Sequence, residues 1–307
     1  MNNVIEIKGL TKDYGLGRGL FDINLSVREG EVFGLVGING AGKTTMIRHL
    51  MGFLHSDSGK CSVMGMDCWS KSAEIKNAVG YIPGEISFPD VKSGIDFFKL
   101  QAEYMGMSGI SRANELAERF NLDATARLKR MSKGMKQKSA IVNAFMSDSK
   151  VLLFDEGTTG LDPLMQKVFT DLVREEKLRG KTVFMSSHMF DELESVCDRV
   201  AFLKEGRIID IIELSKIRGN ERIKEYKIEF VNAEDYTSFL GHSFSVKRRQ
   251  DEYRQVTINI PDDDINELFR VLSAFKVKYI TQKPQTLETY FLEKYQRDAV
   301  TNTEVSQ

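Results

Sequence analysis

Nine consecutive residues, Gly37-Ile38-Asn39-Gly40-Ala41-Gly42-Lys43-Thr44-Thr45, have the types and spacing needed to grip a chain of phosphates. Glycines at 37, 40 and 42 let the backbone curl so that successive N–H groups point inward at anionic oxygens. The start of a helix adds its partial positive charge. Lys43 is placed to bridge the β- and γ-phosphates of a nucleotide, and Thr44 to ligate Mg²⁺. The loop is therefore expected to bind nucleotide phosphates and Mg²⁺ through Gly37, Asn39, Gly40, Ala41, Gly42, Lys43, Thr44 and Thr45.

A second acidic element stands much later in the chain, where the apolar run Val151-Leu152-Leu153-Phe154 ends in Asp155-Glu156. An Asp at the C-terminal end of a core strand can lie beside the loop of another strand and hold Mg²⁺. Glu156, one residue on, can polarise the attacking water as a general base.

These groups need elements to position them. Apolar alternation and β-branched residues predict strands at Val4–Ile7, Phe21–Val27 and Val32–Val36, the last running into the glycine-rich turn, with a helix at Thr44–Met51. Short strands follow near Cys61–Met64 and Val79–Ile82. From Ser93 to Met146 a 3.6-residue period dominates, with Ile95, Phe98, Leu100, Leu116, Ala117 and Phe120 on apolar helix faces. The unbroken apolar run at 151–154 suits a strand buried on both faces of a parallel sheet. Helix Leu164–Leu178, strand Thr182–Ser186, helix Met189–Cys197 and strand Arg199–Leu203 continue the α/β alternation. Beyond about Ser215 the order is strand Tyr226–Val231, helix Ala233–Leu240, strands Ser243–Arg248 and Tyr253–Ile260, helix Asp262–Phe275 and strand Val277–Thr281. That is the βαββαβ order of a ferredoxin-like domain.

Composition limits the partners. At 307 residues, with 41% hydrophobic and 28% charged side chains, the chain suits one large and one small globular domain. Disorder is expected only at its last few residues. Lys plus Arg at 43 nearly cancels Asp plus Glu at 44, so no nucleic-acid partner is expected. The one compact basic cluster, Lys247-Arg248-Arg249, reads as a solvated turn between strands. Cys61, Cys68 and Cys197 lack metal-ligand spacing and read as reduced core thiols of a cytoplasmic protein. No stretch approaches about 18 uninterrupted apolar residues, and no signal peptide opens the chain.

Between the two acidic and glycine-rich elements lies Met131-Ser132-Lys133-Gly134-Met135-Lys136-Gln137-Lys138, which resembles the L-S-G-G-Q signature of ABC ATPases. After Glu156, Gly160-Leu161-Asp162-Pro163 resembles that family's D-loop and Ser187-His188 its switch histidine. Tyr14 stands where the family stacks an aromatic ring on adenine. Six ordered motifs thus cover residues 1 to about 215.

The resemblance implies an α/β P-loop NTPase fold of ABC type over 1–215: a mixed sheet core and a helical subdomain at about 88–147. Residues 216–307 form a small α+β accessory domain. It makes the bound nucleotide ATP and also implies a head-to-tail dimer, a homodimer by preference, in which Ser132 and Gly134 meet the γ-phosphate bound by the other subunit. His188 would hydrogen-bond the γ-phosphate, making Glu156, His188 and Lys43 the catalytic set and Thr44 and Asp155 the metal ligands.

Three departures from the family pattern stand out. Gly84, in Tyr81-Ile82-Pro83-Gly84-Glu85, occupies the Q-loop glutamine position, so that contact is missing, mediated by water, or taken over by Glu85. In the signature, Lys133 replaces the first glycine and Met135 the glutamine, while Gly157 stands where a proline is usual.

Thr286-Leu287-Glu288-Thr289-Tyr290-Phe291-Leu292 resembles the ending of exporter ATPases of the drug-resistance and peptide-antibiotic branch, and also reads as an amphipathic closing helix. The implied protein is an ATPase subunit on the inner face of the cell membrane. It would drive a separate polytopic transmembrane permease, with part of the partner-facing surface at 86–98. The competing expectation is a soluble ABC ATPase acting on a macromolecular complex. Such proteins usually carry two cassettes or a long coiled coil, and neither is in this sequence. A regulatory nucleotide-binding module with little turnover is a third.

Overall fold

The computed structural model describes residues 2–219, 223–283 and 286–292. The tail expected to be disordered lies outside them. The chain divides into two compact units, Met1–Glu213 and Leu214–Gln307.

In the first unit, β1 (Asn3–Asp13) and β2 (Gly19–Arg28) lead to the short buried β3 (Val32–Val36) and α1 (Lys43–Leu50). The chain continues through β4 (Ser58–Val63), β5 (Met66–Asp67), α2 (Ser72–Ala78) and β6 (Val79–Ile82). A helical stretch follows: α3 (Gly94–Tyr104), α4 (Ser111–Arg119) and α5 (Lys133–Met146). Then come β7 (Val151–Asp155), α6 (Pro163–Leu178), β8 (Thr182–Ser187), α7 (Phe190–Val196), β9 (Arg199–Lys204) and β10 (Arg207–Glu213).

Two sheets result. One is antiparallel in the order β2-β1-β4-β5. The other runs β10-β9-β3-β8-β7-β6, parallel except for β10 at its edge, so the sheet core is mixed. Because β3, β8 and β7 run parallel, their C-terminal ends, and the loops that follow, lie along one edge of the sheet.

The apolar run at 151–154 is buried on both faces as its composition requires. Val151 and Leu153 join a core with Phe33, Leu35, Met46, Ile47 and Leu50 between the sheets. On the other side Phe154 meets Phe145 of α5 at a tilt and Phe169 of α6 edge-on, with ring centroids 5.1 and 5.5 Å away. Fully burying one such ring stabilises by roughly 1.5–3 kcal/mol.

Helix starts follow their caps. Ser93 and Asp96 form a capping box on α3, and Asp162 caps α6 with Pro163 in the first turn. Of the expected helical-face residues, Phe98, Leu116, Ala117 and Phe120 are buried, whereas Ile95 and Leu100 are half-buried and the neighbouring Phe97 is buried instead. Phe88 is half-buried with its ring edge-on to Phe97 at 4.9 Å. All three cysteines are buried, and none is in a disulfide.

The second unit opens with α8 (Leu214–Gly219) and continues β11 (Ile223–Phe230), α9 (Ala233–Phe239), β12 (Ser245–Gln250), β13 (Gln255–Pro261), α10 (Ile265–Leu272) and β14 (Val277–Lys283). The sheet order β12-β13-β11-β14, antiparallel throughout, is that of a ferredoxin-like domain. Alternate residues Tyr226, Ile228 and Phe230 of β11 pack with Tyr236 and Phe239 of α9 and Leu268 and Leu272 of α10. Their neighbours Glu225 and Glu229 meet Lys247 and Lys278 at 2.6 and 2.5 Å.

Lys247-Arg248-Arg249 is corrected by the structure: the cluster lies within β12, and the expected turn begins only at Asp251. In the closing segment Leu287 and Phe291 are buried and Tyr290 is half-buried. Among the described residues no helix is long and apolar enough to cross a membrane.

Candidate functional site

The glycine-rich loop joins β3 to α1, and two of its glycines are required for different reasons. A side chain at Gly37 would put its Cβ 2.5 Å from the Leu203 carbonyl oxygen, so β9 leaves no room for one. Gly40 has open space around it but a φ of +83°, which L side chains rarely adopt. Gly42 combines both constraints, with φ +113° and Leu20 of β2 at 2.8 Å from where a Cβ would stand. It also caps α1, so Lys43, Thr44 and Thr45 occupy the first helical turn, where N–H groups have no intrahelical acceptor. Ile38, Asn39 and Gly40 are exposed at the rim and Ala41 is buried beneath it.

Lys43 is buried. Its Nζ donates to the Gly37 carbonyl at 2.8 Å and stands 3.5 Å from Glu156 Oε1. The other oxygen of that carboxylate, Oε2, lies 3.4 Å from His188 Nδ1 and accepts from Thr159 Oγ1 at 3.4 Å. Two segments far apart in the chain, at Lys43 and His188, thus converge on one carboxylate that Thr159 of its own turn also contacts. The Glu156 backbone has φ +54°, held by bonds from its N–H to Ser186 O at 3.2 Å and Ser186 Oγ at 3.1 Å. A left-handed non-glycine residue at a strand end is the kind of strained position that surrounding structure must enforce.

Asp155 is buried, and Ser186 Oγ donates to its Oδ1 at 2.8 Å. Its Oδ2 is also buried and has no hydrogen-bond donor. A buried carboxylate oxygen without a partner is costly, and a hard divalent cation is a fitting occupant. Asp155 and the half-buried Thr44 would hold Mg²⁺, which would neutralise charge on the phosphates. Among the described residues no group of three or more His, Cys, Asp or Glu side chains could hold a metal ion alone. Gly84 lies against this oxygen: a Cβ there would come 2.7 Å from Asp155 Oδ2. Any side chain at 84 would cover it, whereas Glu85 is exposed.

The signature residues stand apart from this cluster. Ser132 caps α5, its Oγ accepting from Met135 N at 3.2 Å, and Gly134 packs against the Gly160 carbonyl, to which a Cβ would approach within 3.1 Å. Tyr14 sits in the turn between β1 and β2, closed by Tyr14 N–H to Arg18 O at 2.8 Å. Its side chain is half exposed, with Lys12 Nζ 5.9 Å from the ring centroid.

Four participants escaped the sequence reading: Ser186, Thr159, Gln137 and Glu192. Ser187 Oγ donates to Glu192 Oε2 at 2.6 Å and accepts from Met189 N. Burial pushes the Glu192 carboxyl above the usual range, opposed by its hydrogen bond from Ser187. The available signal was the pair Ser186-Ser187 closing an otherwise apolar strand.

Comparison with known proteins agrees with this geometry. Residues 20–159 match the family described as ABC transporter. The chain is 30% identical to the uncharacterized ABC transporter ATP-binding protein YdbJ of Bacillus subtilis, over 94% of each chain. It is 29% identical to the bacitracin transport ATP-binding protein BcrA of Bacillus licheniformis, over 95% of this chain and 97% of the relative. A solved ATP-binding subunit of an ABC transporter superposes with TM-score 0.65 at 30% identity, covering 70% of this chain and 92% of the other. A loop that can cradle phosphates, a carboxylate flanked by Lys43 and His188, and these similarities lead to one conclusion: the chain belongs to the ABC transporter ATP-binding proteins and is an ATPase of that family.

Proposed function

We propose that this chain hydrolyses MgATP as one of two ATPase subunits driving a separate transmembrane partner that exports its cargo. The observation carrying the proposal is the convergence of Lys43, His188 and Thr159 on the Glu156 carboxylate beside Asp155. In this reading the loop from Gly37 to Thr45 binds the phosphates, Thr44 and Asp155 hold Mg²⁺, and Tyr14 stacks on adenine. Glu156 takes a proton from the attacking water, and His188 and Lys43 steady the γ-phosphate.

Ser132 and Gly134, which stand outside the cluster of their own chain, would complete the site of a second subunit. A helix start bearing a serine hydroxyl suits an anion. ATP then acts as the adhesive between subunits, and hydrolysis releases them. Export is supported by the similarity to a bacitracin transport protein and by the Thr286–Leu292 ending. The accessory domain would begin near residue 216, and the protein would sit on the inner membrane face through its permease.

The test is hydrolysis of MgATP by purified protein and by Glu156→Gln. The variant should stop turnover and trap an ATP-bound dimer on size-exclusion chromatography. Unchanged turnover in the variant would refute the assignment. Extraction from membranes should co-purify a polytopic protein, and recovery of ribosomes instead would favour the soluble alternative.

A further inference from the structure

The turn that presents Glu156 is clamped from two sides. Strand β8 holds it through Ser186, as described. From the opposite side Gln137, a buried side chain on α5, donates Nε2–H to the Gly157 carbonyl at 2.6 Å. Gly157 is itself fixed, because a Cβ there would come 3.0 Å from the Phe169 ring. Two further contacts join the same pieces: Gly134 rests on the Gly160 carbonyl, and Lys133 packs along Gly160. One helix therefore carries Ser132 and Gly134 at its start and, a turn later, the donor that holds the carbonyl of Gly157, the residue after Glu156.

We infer that Gln137 is a positioning residue that couples the signature end of α5 to the catalytic carboxylate of the same chain. This rests on the ATPase reading of Glu156 and on the dimer proposed above. A short helix segment moves as a rigid body, so a displacement of its N-terminus on meeting the partner subunit's nucleotide is carried to the Gly157 carbonyl. Both ends of the coupling are backbone-anchored, one by the Ser132 cap and one by the carbonyl of the residue that follows left-handed Glu156. Gln137 touches no reacting atom. It sets where the Glu156 carboxylate points and leaves phosphate binding to other groups.

The experiment uses the full chain with Gln137→Met, which keeps the length but removes the donor, and Gln137→Lys, which restores one. Steady-state hydrolysis is measured against MgATP concentration, and dimer formation is measured in a second set that also carries Glu156→Gln. The expected result for Gln137→Met is a fall in kcat of about tenfold, with KM for MgATP and dimer formation within about twofold of the parent. Gln137→Lys should recover most of the loss.

Unaltered kcat in Gln137→Met overturns the inference, as does a joint loss of kcat, affinity and dimerisation that Lys does not rescue. A parent whose turnover does not depend on Glu156 would instead overturn the underlying ATPase reading. Should Gln137→Met fail to fold, hydrogen exchange on the parent decides. MgATP must change amide protection at 133–137 and at 157–160 together, and a change in the first stretch alone refutes the coupling.

Discussion

The six-stranded sheet of the first unit and the four-stranded sheet of the second place their polar groups in opposite ways. Strands β3, β7 and β8 are buried on both faces, so their charged residues are displaced to the strand ends, where parallel direction gathers them on one edge. The second sheet buries one face of β11. Across the other, Glu225 meets Lys247 and Lys283, and Glu229 meets Lys278. Convergence gives one carboxylate two partners from distant segments, Lys43 and His188, and a third, Thr159, from its own turn. Dispersion gives local ion pairs with no shared focus. The difference teaches that topology, more than the number of charged side chains, decides where chemistry can assemble.

The comparison can be broken first at its focus. Lys43→Ala should lower ATP turnover roughly a thousandfold, read by steady-state hydrolysis, because it removes the fixed cation facing the phosphates. Phe154→Ala, beneath the site, should cost about 3–5 kcal/mol in chemical denaturation. Phe239→Ala should cost as much within the second unit while leaving nucleotide binding intact. Loss of nucleotide binding in the latter would mean the units are not energetically separate.

Gly37→Ala should destabilise by about 1–3 kcal/mol, since its methyl group meets the Leu203 carbonyl rather than a movable side chain. The same denaturation curves would reveal it. Smaller still is Glu192→Gln. Because burial raises this carboxyl's pKa, the folded protein keeps the proton after the unfolded chain has lost it. The carboxyl's contribution to stability is therefore fully present at low pH and is lost as pH rises above 4.5 toward the raised value. The substitution should remove that slope and be neutral, or stabilising by up to about 1 kcal/mol, at pH 7, measured by melting across the range. Smallest is Lys278→Ala on the dispersed face, with a stability change under about 0.5 kcal/mol and turnover within about twofold of the parent.

Element types were largely legible because they rest on local periodicity. Val32–Val36 and Val79–Ile82 are strands at the residues expected, and the second unit follows the βαββαβ order. Strand β10 was not foreseen. Its sequence Arg-Ile-Ile-Asp-Ile-Ile-Glu has apolar doublets instead of alternation, and pairing with β9 decides its conformation. Helix α2 was missed too, with only Ile75 buried to mark an apolar face. The basic cluster at 247–249 was misplaced because it lies in a strand from which Lys247 reaches across β13 to Glu225 of β11, a contact that no local pattern encodes.

By itself the sequence determined the phosphate loop, the acidic pair and the order of motifs, since each is a contiguous run whose chemistry depends on neighbours along the chain. It also marked Gly84 as a departure. Only the tertiary structure decided that Gly84 lies against the unpartnered oxygen of Asp155, that Ser186 fixes both acids, and that Gln137 holds the turn bearing Glu156. These are contacts between residues 20 to 71 positions apart, and the parallel sheet and its packed helices bring them within hydrogen-bonding or van der Waals reach.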